Sequence, residues 1–182
     1  MKNECYIFGY GSLVNSESRK KSIKINKNNI IPAVINKNFG YVRTTKFPSM
    51  GIIKVKQNKK GINGLLFKID NTDLESFDRR EKSYNRISVP SKYISIIGDM
   101  YFDNSLPVYI YKPKVGFGIK SGKSCTEGYL KVVSNGFKEY GNNFYQQYLS
   151  TTKGIKNKKT RKRNTKGGKK TKKKYTRGES NP

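Results

Sequence analysis

The sequence predicts an α+β fold: a small mixed β-barrel or sheet with a few short helices, followed by a separate basic tail. Three observations predict it. Short β-branched and aromatic runs recur through the first 153 of 182 residues and are broken by Pro32, Pro48, Gly61 and Pro90. Only two segments carry helical signals. After residue 153 the aliphatic residues nearly vanish while Lys and Arg runs continue.

Taken in order, residues 4–9 (ECYIFG) read as an apolar strand that runs straight into the Gly-containing turn Tyr10-Gly11-Ser12-Leu13. Residues 15–21 are polar and do not read as a packed helix. Residues 30–45, 51–56, 62–69, 87–97 and 107–112 read as further strands. Between them, Thr72 and Glu75 have the Ser/Thr-x-x-Glu spacing of a capping box and predict a helix over 72–81. Residues 126–148 read as helical, interrupted at Gly136 and Gly141.

The chain divides at residue 153. Residues 154–182 hold 13 Lys and Arg and one acid, and too little apolar surface to offset the entropy of ordering, so disorder is expected there. Lys158-Lys159-Thr160-Arg161-Lys162-Arg163 could act as a nuclear-localisation or polyanion-binding patch. Of the net charge of +27, +12 lies in this tail and +15 in residues 1–153. The body's excess accords with a general abundance of Lys, Asn and Ile. With no apolar run of about 18 residues and no leader-like segment after Met1, the expectation is a soluble protein without membrane contact. Its expected location is cytoplasmic, with the tail able to direct it to the nucleus.

Histidine is absent, and Cys5 and Cys125 are the only thiols. That excludes Ser-His-Asp and Cys-His catalysis, His-ligated zinc and a four-thiolate metal site. A catalyst must come from Asp, Glu, Lys, Tyr, Ser or Cys. Glu81 stands out among these. At about 100° per residue from Leu74, Glu81 falls near 340°, between Leu74 and Phe77, with Tyr84 close by on the same apolar stripe. Glu75, Asp78, Arg79, Arg80 and Lys82 point off its centre. Removing a carboxylate from water raises its pKa and suits it to proton transfer near neutral pH.

Two glycine-rich segments mislead. In residues 116–124 (GFGIKSGKS) a phosphate-wrapping loop would need Gly at Phe117, so a surface loop is the better reading. Gly9-Tyr10-Gly11 opens like a dinucleotide fingerprint, but Val14 replaces its third Gly and no packed helix follows. The Gly residues of that turn instead let the backbone approach a ligand closely, with successive N–H groups available to an anion. A backbone nest and a buried carboxylate together suit proton transfer on a small anionic substrate.

These features together resemble the γ-glutamylcyclotransferase family, in its AIG2-like and ChaC-like group. The resemblance rests on Tyr6-Ile7-Phe8-Gly9-Tyr10-Gly11-Ser12-Leu13, then Asn63-Gly64-Leu65-Leu66-Phe67-Lys68-Ile69, then Phe77-Asp78-Arg79-Arg80-Glu81-Lys82-Ser83-Tyr84-Asn85-Arg86, in the family's order and spacing. It covers roughly residues 4–112 and continues more faintly to about 153. It implies the family's fold for residues 1–153, and cyclisation of a γ-glutamyl group to 5-oxoproline with release of an amine, amino acid or dipeptide. Glu81 would be the general acid/base, and Tyr10, Gly11, Ser12 and Leu13 would bind substrate. No cofactor or metal is called for. The implied partner is a small γ-glutamyl molecule, with non-specific polyanion or nucleic-acid contact left to the tail.

The chain departs from the family in lacking the Gly pair that often follows the catalytic Glu, where Lys82-Ser83-Tyr84 stands. Tyr10 and Tyr84 could line the pocket or belong to the core. Arg79 and Arg86 read more simply as a solvated face than as substrate ligands. The alternative expectation is a catalytically inactive family member serving as a basic nucleic-acid-binding or virion-associated protein.

Overall fold

Strand β1 (Glu4–Gly9) lies inside the molecule, because after Glu4 it presents only Cys, Tyr, Ile, Phe and Gly, all buried. It pairs antiparallel with β5 (Ile62–Asp70), from Glu4 against Asp70 to Gly9 against Leu65, and parallel with β8 (Val108–Pro113). In this computed structural model, which describes residues 3–21, 24–57, 59–117 and 124–155, three further strands complete the main sheet. They are β2 (Ile30–Ile35), β6 (Tyr84–Ser88) and β7 (Ile94–Ile96), in the order β6-β8-β1-β5-β2-β7. A three-stranded sheet holds β3 (Tyr41–Thr44) between β4 (Gly51–Lys54) and β9 (Thr152–Lys153).

Among the described residues four α-helices attach to this frame: α1 (Ser16–Lys20), α2 (Leu74–Arg80), α3 (Glu127–Lys138) and α4 (Asn142–Thr151). Helices α3 and α4 meet through aromatic rings: Phe137 stacks on Phe144 at 5.3 Å and on Tyr148 at 4.2 Å between centroids. The architecture is the expected α+β mixture, as two sheets with short helices.

Several local expectations are corrected. Residues 30–45 are two strands rather than one, because Asn36 caps a 3-10 turn (Lys37–Phe39) and Gly40 leaves it at φ +80°. Residues 87–97 likewise split into β6 and β7 around the turn Ser91–Tyr93 that follows Pro90. The capping box does not form. Thr72 lies within a 3-10 turn (Asn71–Asp73), and Asp73 precedes α2 without a side-chain cap. Helix α2 ends at Arg80, so Glu81 is its C-cap and not a mid-helix residue, and Tyr84 opens a strand. Residues 15–21 do contain one helical turn, capped by the Asn15 side chain on the Ser18 N–H, with Arg19 buried. Gly141 separates α3 from α4 at φ +92°, as expected, but Gly136 does not interrupt α3. It lies against Asn15, and a Cβ there would run into the Asn15 backbone. The GFGIKSGKS segment falls largely outside the described residues, as does the tail beyond Ile155.

This topology converges three chain segments at one end of the main sheet. Strands β1 and β8 run parallel, so the turn after Gly9 and the C-terminal half of β8 from Tyr111 leave together. Strand β6 runs the other way beside β8, with Tyr84 opposite Pro113, so the chain from Glu81 to Tyr84 arrives there. Glu81, 68 residues after Leu13 in sequence, therefore comes to the same place as that turn.

Candidate active site

At that end of the sheet lies a cavity of about 370 Å³. Tyr10, Gly11, Ser12, Leu13 and Glu81, the five residues singled out in the sequence, all line it, with Arg80, Tyr84, Tyr111, Phe117 and Tyr129 among their neighbours. The turn is a 3-10 turn (Ser12–Val14) closed by Val14 N–H on the Gly11 carbonyl at 3.1 Å. Gly11 is closely packed. A Cβ there would stand 3.0 Å from the Tyr129 hydroxyl and 3.1 Å from the Met50 side chain.

The Glu81 side chain is 17% exposed, and its Oε1 lies 3.3 Å from the Arg80 Nε. Burial pushes its carboxyl above the ordinary carboxylate range, and the Arg80 guanidinium opposes that rise only in part. Arg80 does not point away from the site as the helical projection suggested. It lines the cavity, and its guanidinium also approaches the Ser12 hydroxyl at 3.5 Å and the Ser18 carbonyl at 3.4 Å. One arginine thus links Glu81 to the turn.

Tyrosines form much of the remaining wall. The Tyr84 hydroxyl donates to the Met50 carbonyl at 2.9 Å and lies 2.7 Å from the Ser49 hydroxyl, and the Tyr10 hydroxyl donates to the Tyr111 carbonyl at 2.6 Å. Tyr129, from α3, was not recognised in the sequence. Its oxygen receives the Met50 N–H at 3.1 Å and is also hydrogen-bonded to Ser12, through both its backbone and its side chain. Burial pushes this phenol up to about 12, so it stays protonated at neutral pH. An oxygen already receiving a backbone N–H directs its own proton elsewhere, to the Ser12 hydroxyl or to a ligand oxygen in the cavity. Its partner Met50 is 79 positions away, and nothing in the local sequence around it sets it apart from the other tyrosines.

The remaining candidates lie elsewhere. Arg79 is exposed and pairs with Glu75 at 3.5 Å, while Arg86 pairs with Asp78 at 2.9 Å. Burial pushes the thiols of Cys5 and Cys125 up to about 11, which disfavours the thiolate. Among the described residues no three Cys, Asp or Glu side chains cluster as metal ligands, and no helix is long and apolar enough to cross a membrane.

Comparison with solved structures gives the architecture a class. Over 86% of this chain and 91% of its own length, a γ-glutamyl cyclotransferase superposes with a TM-score of 0.55 at 14% identity. An uncharacterised human protein gives 0.53 at 14% identity over 86% of this chain and 94% of its own. A yeast γ-glutamyl cyclotransferase specific to glutathione gives 0.50 at 12% identity over 82% and 96%. The chain therefore has the γ-glutamyl cyclotransferase fold. No family model matches the sequence, and neither does any curated protein.

Proposed function

We propose that residues 1–153 form a γ-glutamyl cyclotransferase in which Glu81 is the general acid/base. The observation that carries this reading is the shared cavity, lined by both a largely desolvated carboxylate and a glycine-bearing turn. The α-amine of a γ-glutamyl group attacks its own γ-carbonyl carbon. Glu81 takes the proton lost by that nitrogen and returns it to the leaving nitrogen as the old amide bond breaks, giving 5-oxoproline and a free amine. The closure is intramolecular, so the cavity's main task is to hold the amine against the carbonyl. A raised carboxyl pKa suits both halves of the transfer, since one group must accept and then donate.

The turn backbone at Gly11, Ser12 and Leu13 would receive a substrate carboxylate or the developing oxyanion, and the Tyr129 hydroxyl would donate to an adjacent oxygen. Arg80 and Lys82, which also line the cavity, add positive charge where an anionic substrate enters. The test is release of 5-oxoproline from a panel of γ-glutamyl compounds that includes glutathione, γ-glutamyl amino acids and γ-glutamyl amines. Turnover of at least one, unchanged on deletion of residues 154–182, is the expected result. Turnover of none would end this reading.

A further inference from the structure

Arg43 is wholly buried, yet none of its hydrogen bonds goes to a carboxylate. Its Nε donates to the Thr152 hydroxyl at 2.7 Å, and its two NH groups reach the Asn63 and Tyr148 carbonyls, the Asn63 and Thr151 side chains and the Tyr10 carbonyl. The rings of Phe137 and Tyr148 lie 4.7 Å from its guanidinium carbon. Burying a cation without a counter-anion is costly. One of these contacts has a consequence in the cavity.

The backbone carbonyls of residues 10–14 are all accounted for. Tyr10 accepts from Arg43 at 3.3 Å, Gly11 from Val14 N–H and Ser12 from Asn15 N–H. Leu13 and Val14 both accept from Arg19, at 2.7 and 3.3 Å. Arg19 is 6% exposed, with its guanidinium 5.2 Å from the Phe67 ring centre, but the amides that follow its two carbonyl partners, those of Val14 and Asn15, are already bonded within the turn. Neither arginine lines the 370 Å³ cavity, whereas Tyr10, Gly11, Ser12 and Leu13 do. In a trans peptide the N–H points opposite to the C=O of the same plane, and no cis peptide occurs among the described residues. A carbonyl drawn towards Arg43 therefore turns the Gly11 N–H away from Arg43. A hydrogen bond on the carbonyl also polarises its peptide and strengthens that N–H as a donor.

We propose that Arg43 is a positioning residue, a buried guanidinium that grips the Tyr10 carbonyl from behind and holds the Gly11 amide towards a bound anion. The identity of that anion as a γ-glutamyl carboxylate or oxyanion rests on the function proposed above, but the grip itself does not. Lysine would keep the charge and lose the fork that spans several acceptors.

The test uses the full chain, ¹⁵N-labelled, titrated with 5-oxo-L-proline and read at the Gly11 amide. In Arg43→Lys this amide signal should move before ligand is added, and the dissociation constant should rise about tenfold or more. Thr151→Ala removes another partner of Arg43 while sparing the Tyr10 contact. It should lower the melting temperature and leave both the amide signal and the dissociation constant unchanged. An Arg43→Lys variant that folds and binds within about twofold of the wild type, or a Thr151→Ala variant that weakens binding as it does, would overturn the proposal. If Arg43→Lys does not fold, the residue is purely structural and the proposal is overturned. Should the wild type bind no 5-oxo-L-proline, the cyclotransferase reading is what suffers. The grip is then judged on amide hydrogen exchange, which must quicken at Gly11 in Arg43→Lys and not in Thr151→Ala.

Discussion

Asp78 and Glu81 are carboxylates three residues apart, one inside α2 and one at its end, and they sit in opposite circumstances. Asp78 is the more exposed, with a side chain at 46%, yet it is fully engaged: one oxygen accepts the Tyr111 hydroxyl at 2.6 Å and the other the Arg86 guanidinium at 2.9 Å. Glu81 is the more buried, at 17%, and among the described residues its side chain has one polar contact, with Arg80 at 3.3 Å. The better-solvated group braces α2 against β6 and β8, while the poorly solvated one faces the cavity with lone pairs to spare. Burial without full partnering raises a carboxyl pKa and leaves its oxygens open to a substrate proton. Proximity in sequence says little about role here, whereas the count of partners separates the two.

The largest expected effect breaks the comparison on the Glu81 side. Glu81→Gln keeps the shape and removes the proton carrier, so kcat should fall by about 10²–10⁴ with the fold retained by circular dichroism. The same variant has a stability signature. Because the folded pKa of Glu81 lies above its unfolded value, the native state favours the protonated form. Its contribution is fully present below the unfolded carboxyl range and is lost as pH rises through the folded value. Glu81→Gln should therefore melt higher than the wild type at neutral pH, with the gain disappearing in acid; a gain independent of pH would contradict the desolvation argument. Next in size, Tyr129→Phe should lower kcat by about 10² through loss of one donor, and should lower the melting temperature as well, because the Met50 N–H loses its acceptor.

The smaller effects are structural. Gly136→Ala would drive a methyl group into the Asn15 backbone, pushing α3 off the turn that carries the site. A loss of about 1–3 kcal/mol in urea unfolding is expected. Asp78→Asn should cost about 0.5–1.5 kcal/mol, because Tyr111 and Arg86 lose a charged acceptor, and should leave turnover close to the wild-type value.

Much of the frame was legible because it is encoded locally. The bounds of β1 follow from five consecutive buried residues after Glu4, and the break at Gly141 from its positive φ. Glu81 was legible for a partly mistaken reason. A helical projection placed it on the apolar stripe, but the helix stops at Arg80, and Glu81 meets the cavity as a C-cap on the way into β6. The same projection misplaced Arg80. Arg43 and Tyr129 were not legible, since what defines them is distant. Arg43 is held by residues 20 to 109 positions away, and Tyr129 by Met50. A lone charge in an otherwise strand-like YVRT was the one local hint that Arg43 has an interior purpose.

Side-by-side assay of Asp78→Asn and Glu81→Gln for 5-oxoproline release, on whichever γ-glutamyl compound the wild type consumes, tests the central claim most directly. The account predicts that Asp78→Asn retains nearly all of the activity and Glu81→Gln almost none. Equal losses in the two variants, or an active Glu81→Gln, would contradict it.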